Sequence, residues 1–264
     1  MILTFLQFSE GIGHTVNKVV LRMDDVGAST KRYEVYSKIP FGNFLFLKYL
    51  PFFRAWGVYR EIDSELWSEI FDFLVKENAK LSIAITASWV EKDGRLVPFP
   101  EKFPKESKLI KEALRENIIE ISNHGLTHCV VGKHQPRLFG SNRKYHREFW
   151  DWLPQEIHNQ HIEKSQKIFE EWLGESPKIL VPPGNVYSGK TLIAAEKYGI
   201  EKLNSSRSVK ALTAIEIYNE NGVDAFHDRE IVLYGKDWLF RKILDYKKMG
   251  TEFIFIDDLK SYES

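Results

Sequence analysis

Val19-Val20-Leu21-Arg22-Met23-Asp24-Asp25 is a short β-branched and apolar run that stops abruptly in charge. That is the pattern of a buried strand delivering polar groups to its C-terminal edge. The same pattern returns downstream. Leu81–Ile85 and the runs 118–122, 178–181, 222–226 and 253–256 are strand-like, and the last four leave through Asn123-His124-Gly125, Pro182-Pro183-Gly184, His227 and Asp257-Asp258. Between them lie helical patterns. Ser64 is an expected N-cap ahead of Leu66, Trp67, Ile70, Phe71, Leu74 and Val75 at three-and-four spacing, and Pro104–Arg115, Gln155–Leu173, 188–198 and 238–248 follow, with Gly174 a C-terminal stop. Strand alternating with helix implies right-handed crossovers and a mainly parallel α/β sheet, open or closed into a barrel, whose function gathers at the strand C-termini.

Composition narrows the class. At about 150 residues per domain, 264 residues fit one large α/β domain, taken as 1–264. Hydrophobic residues make up 43% and charged residues 28%, which suffices for a core. Lys plus Arg (37) equals Asp plus Glu (37), so no net field draws the chain to nucleic acid or an anionic membrane. The single cysteine, Cys129, excludes an intramolecular disulfide and a multi-cysteine metal cluster, and it reads as structural. Any metal must therefore be held by His, Asp or Glu. The N-terminus lacks a basic n-region, and the apolar stretch 41–56 is broken by Gly42, Lys48, Pro51 and Arg54, so the expectation is a soluble, cytoplasmic protein without a membrane span.

The strand ends hold one constellation: Asp24 and Asp25, then His124 and His128, then His227. A divalent metal with an open coordination position needs about three oxygen or nitrogen ligands on one side, and Asp25, His124 and His128 supply that set. Neighbours on an extended strand face opposite ways, so Asp24 reaches the same site only at a bend, as a base. Helical zinc peptidases place Glu directly after the first His of such a pair; here Gly125 stands there, and with Thr127 it suggests a turn bending both imidazoles inward. Segments 26–44 and 130–154 lack periodicity and are expected to frame a substrate.

The order of these motifs resembles the polysaccharide deacetylases of carbohydrate esterase family four. The matching stretches are Arg22-Met23-Asp24-Asp25-Val26-Gly27, His124-Gly125-Leu126-Thr127-His128, Val181-Pro182-Pro183-Gly184-Asn185 and Ala225-Phe226-His227-Asp228, spanning residues 19–228. The resemblance implies a distorted (β/α) barrel of seven or eight mainly parallel strands and metal-dependent removal of an N-acyl group, acetyl or formyl, from a sugar. It makes Asp24 the general base, Asp25, His124 and His128 the ligands of one divalent ion, and His227 the general acid. Zinc is the default ion for these donors, with nickel, cobalt and iron(II) fitting them too. A backbone N–H near Gly184 or Asn185 is the expected oxyanion donor. Where family members carry an Arg in the Pro-rich motif, this chain has Leu180-Val181, which leaves Arg22 or Arg229 to orient the base. The implied partner is an acylated amino sugar, with nucleotide- and lipid-linked forms left open, and no nucleic acid; the oligomeric state is not specified. The alternatives are a carbohydrate-binding protein on a degenerate barrel without turnover, and a metal-dependent hydrolase of another amide or ester.

Other residues read more plainly. His158 and His161, with Glu156 and Glu163 nearby, are expected on a solvated helix face, while His134 and His146 belong to a long loop. Tyr145, Phe149, Trp150 and Trp152 are expected to anchor that loop rather than stack on sugars, and Arg137, Arg143, Lys144 and Arg147 to be solvated rather than to meet a phosphate. Asp257 and Asp258 are expected to N-cap a helix ahead of Leu259 rather than to support the site. Gly11-Ile12-Gly13 precedes a strand, which does not suit a dinucleotide fingerprint.

Overall fold

The structure is a computed structural model, and it describes residues 17–32, 37, 39–43, 47, 50, 52–53, 59–132 and 146–259. His134, Tyr145, Arg137, Arg143, Lys144 and Gly11-Ile12-Gly13 lie outside these residues.

Eight parallel strands curl into a distorted barrel. They are β1 (Lys18–Val26), β2 (Leu81–Ile85), β5 (Ile119–Asn123), β6 (Ile179–Leu180), β7 (Lys202–Asn204), β8 (Glu216–Tyr218), β9 (Val223–His227) and β10 (Glu252–Ile254), in the order β10-β1-β2-β5-β6-β7-β8 with β9 also on β1. A small antiparallel hairpin, β3 (Ser88–Val90) with β4 (Leu96–Pro98), stands apart. Among the described residues no ladder joins β8 to β9, so the ring stays open there. The helices are α1 (Ser64–Glu77), α2 (Phe99–Lys102), α3 (Pro104–Arg115), α4 (Gln155–Leu173), α5 (Gly189–Lys197), α6 (Asp228–Tyr234) and α7 (Lys236–Lys248). None of the helices in the described residues is long and apolar enough to cross a membrane.

Side-chain alternation sorts the strands into two faces. Val19, Leu21 and Met23 of β1, with Leu81, Ile83 and Ile85 of β2, join the large core under α1, α3 and α7. The alternate residues Val20, Ala84, Ile179 and Val181 turn inward and meet Ile254 and Ile256 at the lower end of the barrel. Higher up, the same interior face turns polar: Arg22 is 1% exposed and Asn204 fully buried.

Sequence and structure differ in places. The N-cap of α1 is Asp63, whose carboxylate accepts the Leu66 N–H at 3.0 Å, and Ser64 is the first helical residue. Asp258 accepts the Phe255 N–H and Asp257 pairs with Lys202, which puts the second Asp pair at the end of the barrel opposite the His motif. His158 and His161 are buried, not solvated: α4 buries a face of His158, His161, Ser165 and Gln166 beside its apolar residues.

Candidate metal centre and active site

The site begins with a defect in β1. Arg22 and Met23 pair with Ser82 and Ile83, but Val26 pairs with Ile85, so Asp24 and Asp25 together oppose one residue of β2. This is a β-bulge, and Asp25 adopts φ 70°, a left-handed conformation that costs a non-glycine residue roughly 1–2 kcal/mol. The bulge breaks the alternation that would have sent the two carboxylates to opposite faces. Gly27, at φ 76°, then turns the chain; a Cβ there would strike the Phe99 ring.

His124 extends the β5 edge, its N–H donated to the Ile85 carbonyl at 2.9 Å. Asn123 then accepts the Gly125 N–H at 2.8 Å, Gly125 takes φ 83°, and His128 also sits left-handed at φ 64°. The tight turn swings both imidazoles onto Asp25: His124 Nε2 is 3.2 Å and His128 Nε2 3.0 Å from Asp25 Oδ1. The three donor atoms lie within 4.8 Å of one another and all three residues are buried.

These donors fit a metal ion. His124 Nδ1 lies 2.7 Å from the Val181 carbonyl, which only accepts, so that nitrogen carries a proton and Nε2 is the one turned to Asp25. A cation between that nitrogen and the carboxylate would be bound by both. His128 Nδ1 is bonded to Thr30 Oγ1 at 3.0 Å, while its buried Nε2 has no hydrogen-bond partner. Each imidazole is thus oriented through one nitrogen and presents the other, the usual arrangement of metal-ligating histidines. Burial pushes the His128 ring below its ordinary value, Asp25 opposing, which keeps the ring neutral. Burial disfavours the Asp25 charge, but the neighbouring imidazoles of His128 and His227 outweigh it and hold the carboxyl well below its usual range. Arg229 Nη2 adds a contact to Asp25 Oδ2 at 3.2 Å. The second expected base-orienting arginine therefore serves the neighbouring carboxylate.

Asp24 is gripped by Arg22. Nε donates to Oδ1 and Nη2 to Oδ2, both at 2.8 Å, the planar fork matching the carboxylate. Arg22 is fixed in turn by Asn204 Oδ1 and by Glu220 Oε1 at 2.9 Å. The arginine that holds Asp24 thus stands two residues before it, on the same strand and face.

His227 sits in register with Asp24 across the β1–β9 ladder. Its side chain is 43% exposed, and Nδ1 lies 3.6 Å from Glu230 Oε1. Burial lowers its affinity for a proton, yet Asp25, Glu230 and Asp24 outweigh that and push it up to about 9, so the ring is cationic near neutrality. Of the expected oxyanion donors, the Asn185 N–H is spent on the Pro182 carbonyl at 2.9 Å and its side chain on Glu220 and Ser206, which leaves Gly184. Arg147 lies directly against Gly184, where a Cβ would overlap its guanidinium.

Sequence reading missed two buried groups beside the site. Lys31 is held by Asp228 and by Glu61 at 2.9 Å, an arrangement tying the turn after β1 to the start of α6, next to His227. Burial opposes the Lys31 charge, but Asp228, Glu61 and Asp25 keep it protonated. Glu148 and His161 form the second group, behind the His124–His128 turn. Phe149 is fully buried in the core beneath α5, an anchor as expected, whereas Trp152 is half exposed. Cys129 is buried and belongs to the packing.

The family model for polysaccharide deacetylase matches residues 56–203. Among solved structures, the chain is similar to the carbohydrate esterase family 4 domain of a multidomain xylanase from the hindgut metagenome of Trinervitermes trinervoides (11% identity, 92% of this chain and 89% of that one, TM-score 0.50). It is also similar to a family 4 acetyl xylan esterase from Clostridium thermocellum in complex with a cobalt ion (14%, 91% and 88%, 0.49). A third is a family 4 pseudoenzyme from Bacillus anthracis (13%, 93% and 66%, 0.49). No curated protein matches the chain.

Proposed function

The chain belongs to the polysaccharide deacetylase family, and from that premise we propose that it is a metal-dependent hydrolase removing an N-acetyl or N-formyl group from an amino sugar. The observation that carries this reading is the two-pronged Arg22–Asp24 contact beside the Asp25–His124–His128 cluster: one carboxylate held for a proton, the other for a cation.

Asp25, His124 and His128 would hold the divalent ion, which when bound lowers the pKa of water and polarises the amide carbonyl. Asp24, held in plane by the Arg22 fork, takes the proton of the attacking water. The Gly184 N–H is the remaining candidate donor to the oxygen on which negative charge develops, a contact of the kind worth about 3 kcal/mol of barrier. His227, with Nδ1 turned toward Glu230, gives the proton on Nε2 to the departing amine. Burial of Asp25, His124 and His128 limits competing water, while exposure of His227 puts the acid where substrate enters.

The test is Asp24→Asn, assayed for bound metal and for release of acetate or formate from acylated amino sugars. Metal retained with turnover abolished supports the assignment. Metal lost together with turnover makes Asp24 a ligand and overturns it. A parent that leaves acylated sugars intact but cleaves a generic phosphodiester overturns the substrate class.

A further inference from the structure

Glu148 is fully buried, and its carboxylate lies under the turn that carries the two ligand histidines. Its Oε1 accepts the His128 N–H at 3.1 Å, its Oε2 accepts the Leu126 N–H at 3.2 Å, and His161 Nδ1 of α4 closes on Oε2. Gly125 makes room: any Cβ there would overlap the Glu148 carboxylate. The residue whose N–H is taken, His128, is the ligand in the left-handed conformation that side chains disfavour. One residue earlier in the chain, Arg147 lies on Gly184 of the β6 loop. Consecutive side chains of one segment thus reach the two loops that flank the metal site.

We infer that Glu148 and His161 are positioning residues of the metal centre, a carboxylate brace that holds the His124–His128 turn in the strained shape required to aim both imidazoles at one ion. The inference rests on the metal reading above and adds to it groups that touch neither the ion nor the substrate. The physical basis is donor counting. The turn buries two backbone N–H groups, Leu126 and His128, and a two-oxygen acceptor meets both, with an imidazole N–H fixing the carboxylate plane. Glutamine cannot replace it, because an amide has one oxygen and would set its NH₂ against a backbone N–H. Asparagine at 161 retains a donor near the place of Nδ1; phenylalanine fills the volume without one.

The experiment measures zinc affinity of the 264-residue chain by competition with a chromophoric chelator, beside the thermal midpoint of the metal-free protein. The expected result is a loss of about 10–100-fold in zinc affinity for Glu148→Gln and for His161→Phe, the range seen when groups behind metal ligands are removed. His161→Asn is expected to stay with the parent. Should Glu148→Gln fail to fold, the two His161 variants decide. Unchanged zinc affinity in folded His161→Phe, or an equal loss in His161→Asn and His161→Phe, overturns the brace. A lower midpoint with unchanged affinity also overturns it, since that is the mark of a purely structural contact. A parent that takes up no zinc overturns the metal reading and the brace together, whereas a parent that binds zinc beside variants that bind as well overturns the brace alone.

Discussion

At the lower end of the barrel Val20, Ala84, Ile179, Val181, Ile254 and Ile256 close on one another with no charge among them. A few residues further along the same strands, the same interior surface holds Arg22, Asp24, Asp25, His124 and Asn204, nearly all out of contact with solvent. Alternation cannot by itself explain the difference, because it carries Val20 and Arg22 of one strand to the same face. What differs is how each end meets the cost of burial. The lower end removes apolar surface from water. The upper end must give each buried polar group a partner, and it does so with a forked arginine, an Asx turn and left-handed residues. Within the barrel, apolar packing lies below and the buried polar groups above.

The comparison is broken most severely by changing the upper end. The double variant His124→Ala, His128→Ala is expected to lose all tightly held transition metal while remaining folded, with elemental analysis after dialysis reading near one equivalent in the parent and none in the variant. Arg22→Leu comes next. Stranding Asp24 and Glu220 without their fork is expected to cost about 3–5 kcal/mol in urea unfolding, and turnover is expected to fall by about 10²–10⁴ as the general base loses its orientation. Arg22→Lys keeps the charge but not the fork and should recover stability better than turnover. At the lower end the expectation reverses. Ile254→Ala is expected to cost about 2–5 kcal/mol while metal content and turnover per folded molecule stay as in the parent; a loss of metal in that variant would mean that the two ends are not separable.

The smallest effect sharpens the division. Glu120 lies beside the lower end, accepting Ser82 Oγ, Ile256 N–H and Asp257 N–H, and burial pushes it up to about 7 despite those bonds. A raised value means that the fold favours the neutral acid. Its contribution is fully present below the ordinary value of 4.5 and is lost as pH rises through about 7. Thermal scans of metal-free protein are expected to fall by about 1–3 kcal/mol across that window, and Glu120→Gln should flatten the slope.

Much of this was legible in the sequence. The apolar runs marked most barrel strands because parallel strands are buried on both faces, and the candidate ligands stood out because each follows such a run. Asp25, His124 and His128 converge as their spacing suggested. The three-residue strands β7 and β8 were missed because so few residues show no period, and α6 because it is a single short helix after His227. The bulge at Asp24–Asp25 leaves no hydropathy trace; only the need to bring both carboxylates to one side hinted at it. His161 was misread for a definite reason. Its helix buries a polar face against Glu148 and Thr191, and a hydropathy pattern scores such a face as solvent. The signal available was the excess of His, Ser and Gln over Lys and Glu along that stripe of α4, since neutral hydrogen-bonding residues are the ones a buried polar face can satisfy.

The ladder between β1 and β9 also sets a timetable. Asp24 is made well before its partner in register, His227, and β10, which covers the start of β1, follows later still. A nascent chain therefore holds its acidic strand with one edge unpaired through most of translation, and closing that distance is a long-range, entropically slow step. The upper end is consequently completed late: Asp24 meets His227 only once the C-terminal strands have docked, so a shorter chain that already carries Asp25, His124 and His128 still lacks this pairing.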